Sequence, residues 1–323
     1  MNAPFVFIVG CGRSGTTMLR SMLDSHPEVA IPRESYFIDT MRRRRDGYVG
    51  ATGFDVERFL DDLLPDVRFR RWELDPEMVA DAVRAAEPAD LGAACRAVYD
   101  VFAREQGATR PFDKTPMYAL CVPELHQLFP DARFVHLVRD GRDVAASYAE
   151  TDFGPRGLAA AASYWRRVIR AVDAASAVVG PEQLRTFRYE DLAADPAGTL
   201  QAISAFVELD YDERMLDFAT HMKTRPRRQP AATKQKLAGP AAAGVRNWTQ
   251  MAPADVRLVE SVAGAELRGA GYALSDYPVS AVQRRAARAR AVSAGAVHRA
   301  ELGLRRTRMF NRLRPAKGVW AGA

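Results

Sequence analysis

The chain has 323 residues, of which 48% are apolar and 27% charged, with a formal net charge of +6. That composition suits one large α/β domain with insertions, or two domains, and it excludes a chain too polar to bury a core. No run reaches the ~18 consecutive apolar residues of a membrane-spanning helix, and the positive charge is local: residues 279–323 hold ten arginines and one lysine against Glu301 alone, so the rest is mildly acidic.

The elements read in chain order as follows. Phe5 to Val9 is an apolar run of strand length that enters the glycine-rich turn "GCGRSG". Met18, Leu19, Met22 and Leu23 then fall at helical spacing, followed by a connector, "DSHPEVAIPRES". Four consecutive arginines and several glycines over 40–53 read as the exposed opening of an insertion that runs to about residue 72. Helical periodicity follows over 75–86 and 91–106. A short strand with "FDK", a helix, the buried strand "RFVHLV" and a helix from about Asp143 come next. An alanine-rich helix covers 157–178, then the strand "LRTFRYEDL", helices over 197–207 and 211–221, a loop over 223–246 and a last helix over 253–270. Strands alternating with helices predict a mostly parallel sheet in a three-layer α/β fold of phosphate-loop type, with helical insertions. The domain is expected over 1–278, with its insertion at about 40–105, and 279–323 as a basic helical extension.

Three features carry chemistry. The spacing Gly10-x4-Gly15-Thr16-Thr17 follows the phosphate loop G-x-x-x-x-G-K-[ST], except that Thr16 stands where the lysine belongs. Glycines let the backbone approach an anion, the hydroxyls add donors, and Arg13 supplies a planar cation suited to phosphate or sulfate oxygens. In "FVHLVRDGRDVAASY", Arg139 ends a strand and Ser147 follows about two turns into the next helix. Ends of parallel strands are where α/β folds bind ligands, so this pair suits a second phosphate. A rival reading makes Asp140 a magnesium-holding acid, as in ATP-using enzymes. Third, Glu34 comes after the first helix and Lys114 after a predicted short strand, positions that allow both to face one cleft, or each is an ordinary surface charge.

Together, "GCGRSGTTMLRSMLDSHP" and "LVRDGRDVAASY" resemble the two signature segments of sulfotransferases that use 3′-phosphoadenosine 5′-phosphosulfate (PAPS). The continuation "LDSHPEVAIPRES" resembles the tyrosylprotein sulfotransferases and their bacterial relatives more than the cytosolic aryl sulfotransferases. The resemblance covers residues 5–35 and 110–150, is looser at "FRYEDL" and "VRNWTQ", and is absent over 40–105 and beyond about 275. It implies that Arg13, Ser14, Gly15, Thr16 and Thr17 hold the 5′-phosphosulfate, and that Arg139 and Ser147 hold the 3′-phosphate. It further implies Glu34 as the base on the acceptor hydroxyl, with Lys114 and Arg13 at the leaving oxygen, Tyr189 against the nucleotide and Thr233 in a loop over the cofactor. A sulfuryl group carries less charge than a terminal phosphoryl group, so cations and backbone donors at the bridging oxygen serve without a metal. The missing lysine is then consistent with the cofactor.

Two other classes stay open on the sequence: a phosphate-loop kinase of small molecules, and a non-catalytic nucleotide-binding module. The arginine-rich tail would lie on an anionic membrane surface, bind an acidic partner, or stay solvated. With no aromatic stacking pattern, a nucleic-acid partner is not expected. Three scattered cysteines and histidines without ligand spacing predict reduced thiols and no metal site. The early strand leaves no room for a leader, so a cytoplasmic protein acting on a hydroxylated acceptor is the expectation.

Overall fold

In the computed structural model, residues 3–50, 53–151, 153–221, 245–277, 280–282, 285–286 and 289 are described. From the N-terminus the elements are β1 (Val6–Gly10), α1 (Thr16–Leu23), β2 (Val29–Ala30), α2 (Phe37–Arg42), β3 (Val49–Gly50) and β4 (Gly53–Phe54). Next come α3 (Val56–Leu63), α4 (Pro76–Ala85), α5 (Leu91–Glu105), β5 (Arg110–Lys114), α6 (Val122–Leu128), β6 (Arg133–Val138) and α7 (Gly141–Ala149). Then follow α8 (Leu158–Val179), β7 (Leu184–Arg188), α9 (Tyr189–Ala194), α10 (Pro196–Phe206), α11 (Phe218–His221) and α12 (Pro253–Gly269).

Strands β2, β5, β1, β6 and β7 lie side by side in that order, all parallel, with β1 at the centre. All five β1 residues are buried, as a strand covered on both faces requires. Phe7, Phe134, Tyr99 and Trp165 belong to the core under α5, α7 and α8. Val6, Ile8, Leu19, Leu200 and Ile203 form the core under α1 and α10, on the other side. This is the expected three-layer α/β arrangement.

The insertion leaves the sheet after β2 and returns at β5. Helices α3, α4 and α5 start at aspartate caps, with Asp55 accepting from Arg58 N at 3.0 Å and Asp90 from Ala93 N at 2.8 Å. Aromatic rings pack the insertion internally, Phe37 to Trp72 at 5.5 Å and Trp72 to Tyr99 at 4.9 Å, and Tyr99 meets Phe5 of the domain at 5.0 Å. Of the four arginines, Arg43, Arg44 and Arg45 are exposed as expected, and each has a carboxylate, Arg44 with Asp62 at 2.9 Å and Arg43 with Asp39 at 3.0 Å.

Several boundaries differ from the sequence reading. Helix α7 begins at Gly141, two residues before Asp143, because the Asp140 side chain accepts from Arg142 N and caps it. "LRTFRYEDL" is strand only to Arg188, since Tyr189 opens α9. The helix expected over 211–221 is a 3-10 turn at Glu213–Met215 and the four residues of α11. The connector after α1 contains an edge strand, β2, too short to show a period. Residues 222–244, with Thr233, and most of 279–323 lie outside the described residues.

Candidate functional site

Each strand of the main sheet delivers one sequence-predicted group from its C-terminal end. Read across the sheet, these are Glu34 beyond β2, Lys114 closing β5, the glycine loop after β1, Arg139 after β6 and Tyr189 after β7. Neighbouring strands lie ~4.8 Å apart, so the row spans about 19 Å from its first strand to its last.

At the loop, Arg13 and Gly15 take left-handed backbone, with φ of 72° and 89°. A Cβ on Gly15 would run into the Tyr189 ring, so glycine is what lets that ring lie against the loop. The Arg139 guanidinium sits 4.9 Å over the same ring and donates through Nη1 to the Arg13 carbonyl at 2.9 Å. Arg13 in turn donates through Nε to Ser147 Oγ at 3.0 Å. Arg13, Arg139, Ser147 and Tyr189, drawn from three separate segments, thus form one cluster. Burial pulls the Arg13 guanidinium below its ordinary value and the like charge of Arg139 adds to this, while Tyr148 opposes it. The charge of the Glu150 carboxylate also opposes the fall. The Ser14 hydroxyl is buried without a hydrogen-bond partner among the described residues. Thr16 is buried and Thr17 half-buried in the first turn of α1. Two adjacent cations, an unanswered hydroxyl and a helix N-terminus are a donor set that fits an anionic phosphosulfate.

At the other end, Glu34 is held from both sides of the chain. Arg20 of α1 donates to Ile31 O at 2.6 Å and Asp24 accepts from Ile31 N at 2.8 Å, while Trp72 of the insertion donates to Arg33 O at 2.7 Å. Lys114 pairs with Glu34 Oε1, and Tyr36 donates its hydroxyl to Oε2 at 3.1 Å. The lysine side chain is 7% exposed and the glutamate 28%, so the carboxylate is the more open partner.

Asp140 is not free for a metal. Arg142 takes its Oδ1 at 3.0 Å and its Oδ2 at 2.7 Å, and also binds Glu260 at 2.8 Å in a buried network. Sequence reasoning passed over four groups. Asp143 accepts from Arg246 N at 3.0 Å and Trp248 N at 2.7 Å, and Arg142 stacks 3.6 Å over the Trp248 ring. This ties the segment before α12 to the helix that carries Ser147. Burial pushes Asp143 up to about 6, against the pull of Arg139. Asp113 lies buried beside Lys114, accepting from Tyr99 at 2.6 Å and Thr115 at 3.1 Å. Tyr36 completes the set. The partners of Asp143 lie 103 and 105 residues away, Asp113 is marked only by its burial beside Tyr99, and Tyr36 acts from a backbone state no pattern announces. The Cys11 thiol is buried and pushed above its ordinary value, as suits a small packing residue.

A glycine loop at the central strand of a parallel sheet, with arginines on one side and a carboxylate–lysine pair on the other, defines an α/β protein of phosphate-loop type. The sequence model of the sulfotransferase family matches residues 4–213, and the chain belongs to that family. It is 24% identical over 231 residues to protein-tyrosine sulfotransferase A of Caenorhabditis elegans, covering 66% of this chain and 52% of that one. Protein-tyrosine sulfotransferase 2 of Gallus gallus is 26% identical over 220 residues, with 66% and 53% covered. The chain therefore spans about half the length of these curated relatives. Among solved structures, the sulfotransferase domain of the Synechococcus PCC 7002 olefin synthase superposes with a TM-score of 0.58 at 25% identity, over 84% of this chain and 96% of that one.

Proposed function

We propose that the protein transfers the sulfuryl group of PAPS to a hydroxyl group of an acceptor. The observation that carries this reading is the order of groups along the sheet edge: base and lysine on one side of the loop, arginine and tyrosine on the other. PAPS supplies an activated sulfuryl group on a phosphate leaving oxygen. In this reading Arg13, Ser14, Gly15, Thr16 and Thr17 hold the 5′-phosphosulfate, and Arg139 with Ser147 holds the 3′-phosphate. Tyr189, pinned between Gly15 and Arg139, offers its ring to the nucleotide. Glu34 takes the acceptor proton, and Lys114 leaves its pairing with Glu34 to meet the negative charge that grows on the leaving oxygen, assisted by Arg13.

The names of the curated relatives, protein-tyrosine sulfotransferases, support a hydroxyl acceptor. A metabolite, a glycolipid or carbohydrate, and a tyrosine-like phenol are the classes to screen. The reading takes 1–278 as the catalytic domain of a cytoplasmic enzyme, with 279–323 as an extension suited to an anionic membrane surface. The engagement of both Asp140 oxygens by Arg142 speaks against the kinase alternative.

Thermal unfolding tests the cofactor: adenosine 3′,5′-bisphosphate raises the melting temperature and ATP with magnesium does not. The opposite pattern refutes the proposal. Glu34→Gln is expected to lower sulfuryl transfer ~10²–10⁴-fold, the usual share of a positioned base, with nucleotide binding intact. Retained transfer in that variant would remove Glu34 from the chemistry.

A further inference from the structure

A base that removes a proton from an acceptor hydroxyl must first accept that hydroxyl's hydrogen bond on one carboxylate oxygen. Glu34 has two such oxygens, and Oε1 is paired with Lys114. The other, Oε2, already accepts a hydroxyl, the phenol of Tyr36 at 3.1 Å. Chemically this is the contact a phenolic or alcoholic acceptor makes.

We propose that Tyr36 is a positioning residue that holds the acceptor's place: its hydroxyl occupies Glu34 Oε2 and gives way when acceptor binds. The inference rests on the reading of Glu34 as the base.

Three features fit a group that holds this place and leaves it. Tyr36 sits at φ 58°, a left-handed conformation that is an outlier for a bulky residue and is stored where surroundings enforce it. The ring is held by neighbours on two sides, with Arg68 of the insertion 5.1 Å over it and Tyr118 edge-on at 6.2 Å. The bond to Glu34 is itself longer than the ~2.5–2.7 Å of a strong hydroxyl–carboxylate pair, so an acceptor with better aim outcompetes it. Burial first, and the nearby Glu34 charge second, keep the phenol far above its ordinary value, so it stays a proton donor and cannot replace the base. With the acceptor absent, the phenol takes one of the acceptor positions on a carboxylate that is still 28% exposed. With the acceptor bound, the phenol hydrogen turns away from Oε2 while Arg68 and Tyr118 keep the ring in place.

The test reads binding without turnover, with p-nitrophenol as the acceptor probe, titrated with and without adenosine 3′,5′-bisphosphate. In Tyr36→Phe the competing hydroxyl is gone, and p-nitrophenol is expected to bind about tenfold tighter, equivalent to ~1.4 kcal/mol. Unchanged or weaker binding, or no binding by either protein, overturns the proposal. In native protein carrying ¹³C-labelled tyrosine, the Tyr36 signal, assigned by its loss in Tyr36→Phe, should shift as p-nitrophenol is added. A signal that ignores the probe also overturns it. Failure to bind the nucleotide would refute the transfer reading instead, and the probe titration without nucleotide keeps the two results apart.

Discussion

Replacing Asp113 by asparagine should shift the stability difference progressively in the variant's favour as pH rises from about 5 to about 8. Asp113 is fully buried at the end of β5, with Tyr99 and Thr115 donating to Oδ2 and no partner at Oδ1 among the described residues. Burial pushes its carboxyl from 3.8 up to about 7; the two hydrogen bonds and Lys114 oppose the shift, and Glu34 adds to it. The folded protein therefore keeps this proton to near neutrality, while the unfolded chain releases it near 3.8. Stability from this group is fully present below that value and falls as pH climbs toward 7. Between about pH 5 and pH 7 the loss is two pH units at ~1.4 kcal/mol each, or ~3 kcal/mol. Asparagine carries no charge and still offers an oxygen to Tyr99 and Thr115. It leaves its amide hydrogens where Oδ1 has no partner, at ~1–3 kcal/mol independent of pH. Urea unfolding of both proteins at about pH 5 and about pH 8 isolates the term, because other carboxylates cancel in the difference. A difference that is the same at both pH values refutes the reasoning.

Other outcomes follow from the site. Arg13→Lys loses the planar fork that spans Ser147 and the proposed anion, and calorimetry should show affinity for adenosine 3′,5′-bisphosphate down about tenfold or more. Gly15→Ala forces a side chain into left-handed backbone and against Tyr189; it should lower stability by ~1–2 kcal/mol or more in urea unfolding and weaken nucleotide binding. Asp140→Asn weakens a buried ion pair but leaves Arg142 on Glu260, and should cost ~1–3 kcal/mol in the same assay. Magnesium should not change the melting temperature of the wild type or of that variant; a magnesium-dependent rise lost in the variant would revive the kinase reading.

The parts legible in the sequence were those written locally. The loop between β1 and α1 shows its glycines within a few residues, and the spacing of Arg139 from Ser147 is set by one strand end and one helix. Glu34 and Lys114 could be named, but their pairing depends on β2, a two-residue edge strand with too few positions to reveal a period. Asp143 reads as an ordinary helical aspartate because the amides it accepts from lie 103 and 105 residues away. Tyr36 is nearer, two residues from Glu34, yet its role depends on a backbone conformation that tyrosine seldom takes. The insertion is legible as helices, while its docking through Trp72 on the Arg33 carbonyl is a tertiary fact.

The sheet order also divides the labour of the chain. The insertion leaves after β2 and returns at β5, so its segments enter and leave the site on the flank of Glu34 and Lys114. Arg139, Ser147 and Tyr189 belong to later segments on the opposite flank of the glycine loop. Surface positions within 36–109 can then vary toward new acceptors while Tyr99 on Asp113 and Trp72 on the Arg33 carbonyl keep the insertion seated, and the proposed nucleotide grip, built from other strands, stays untouched.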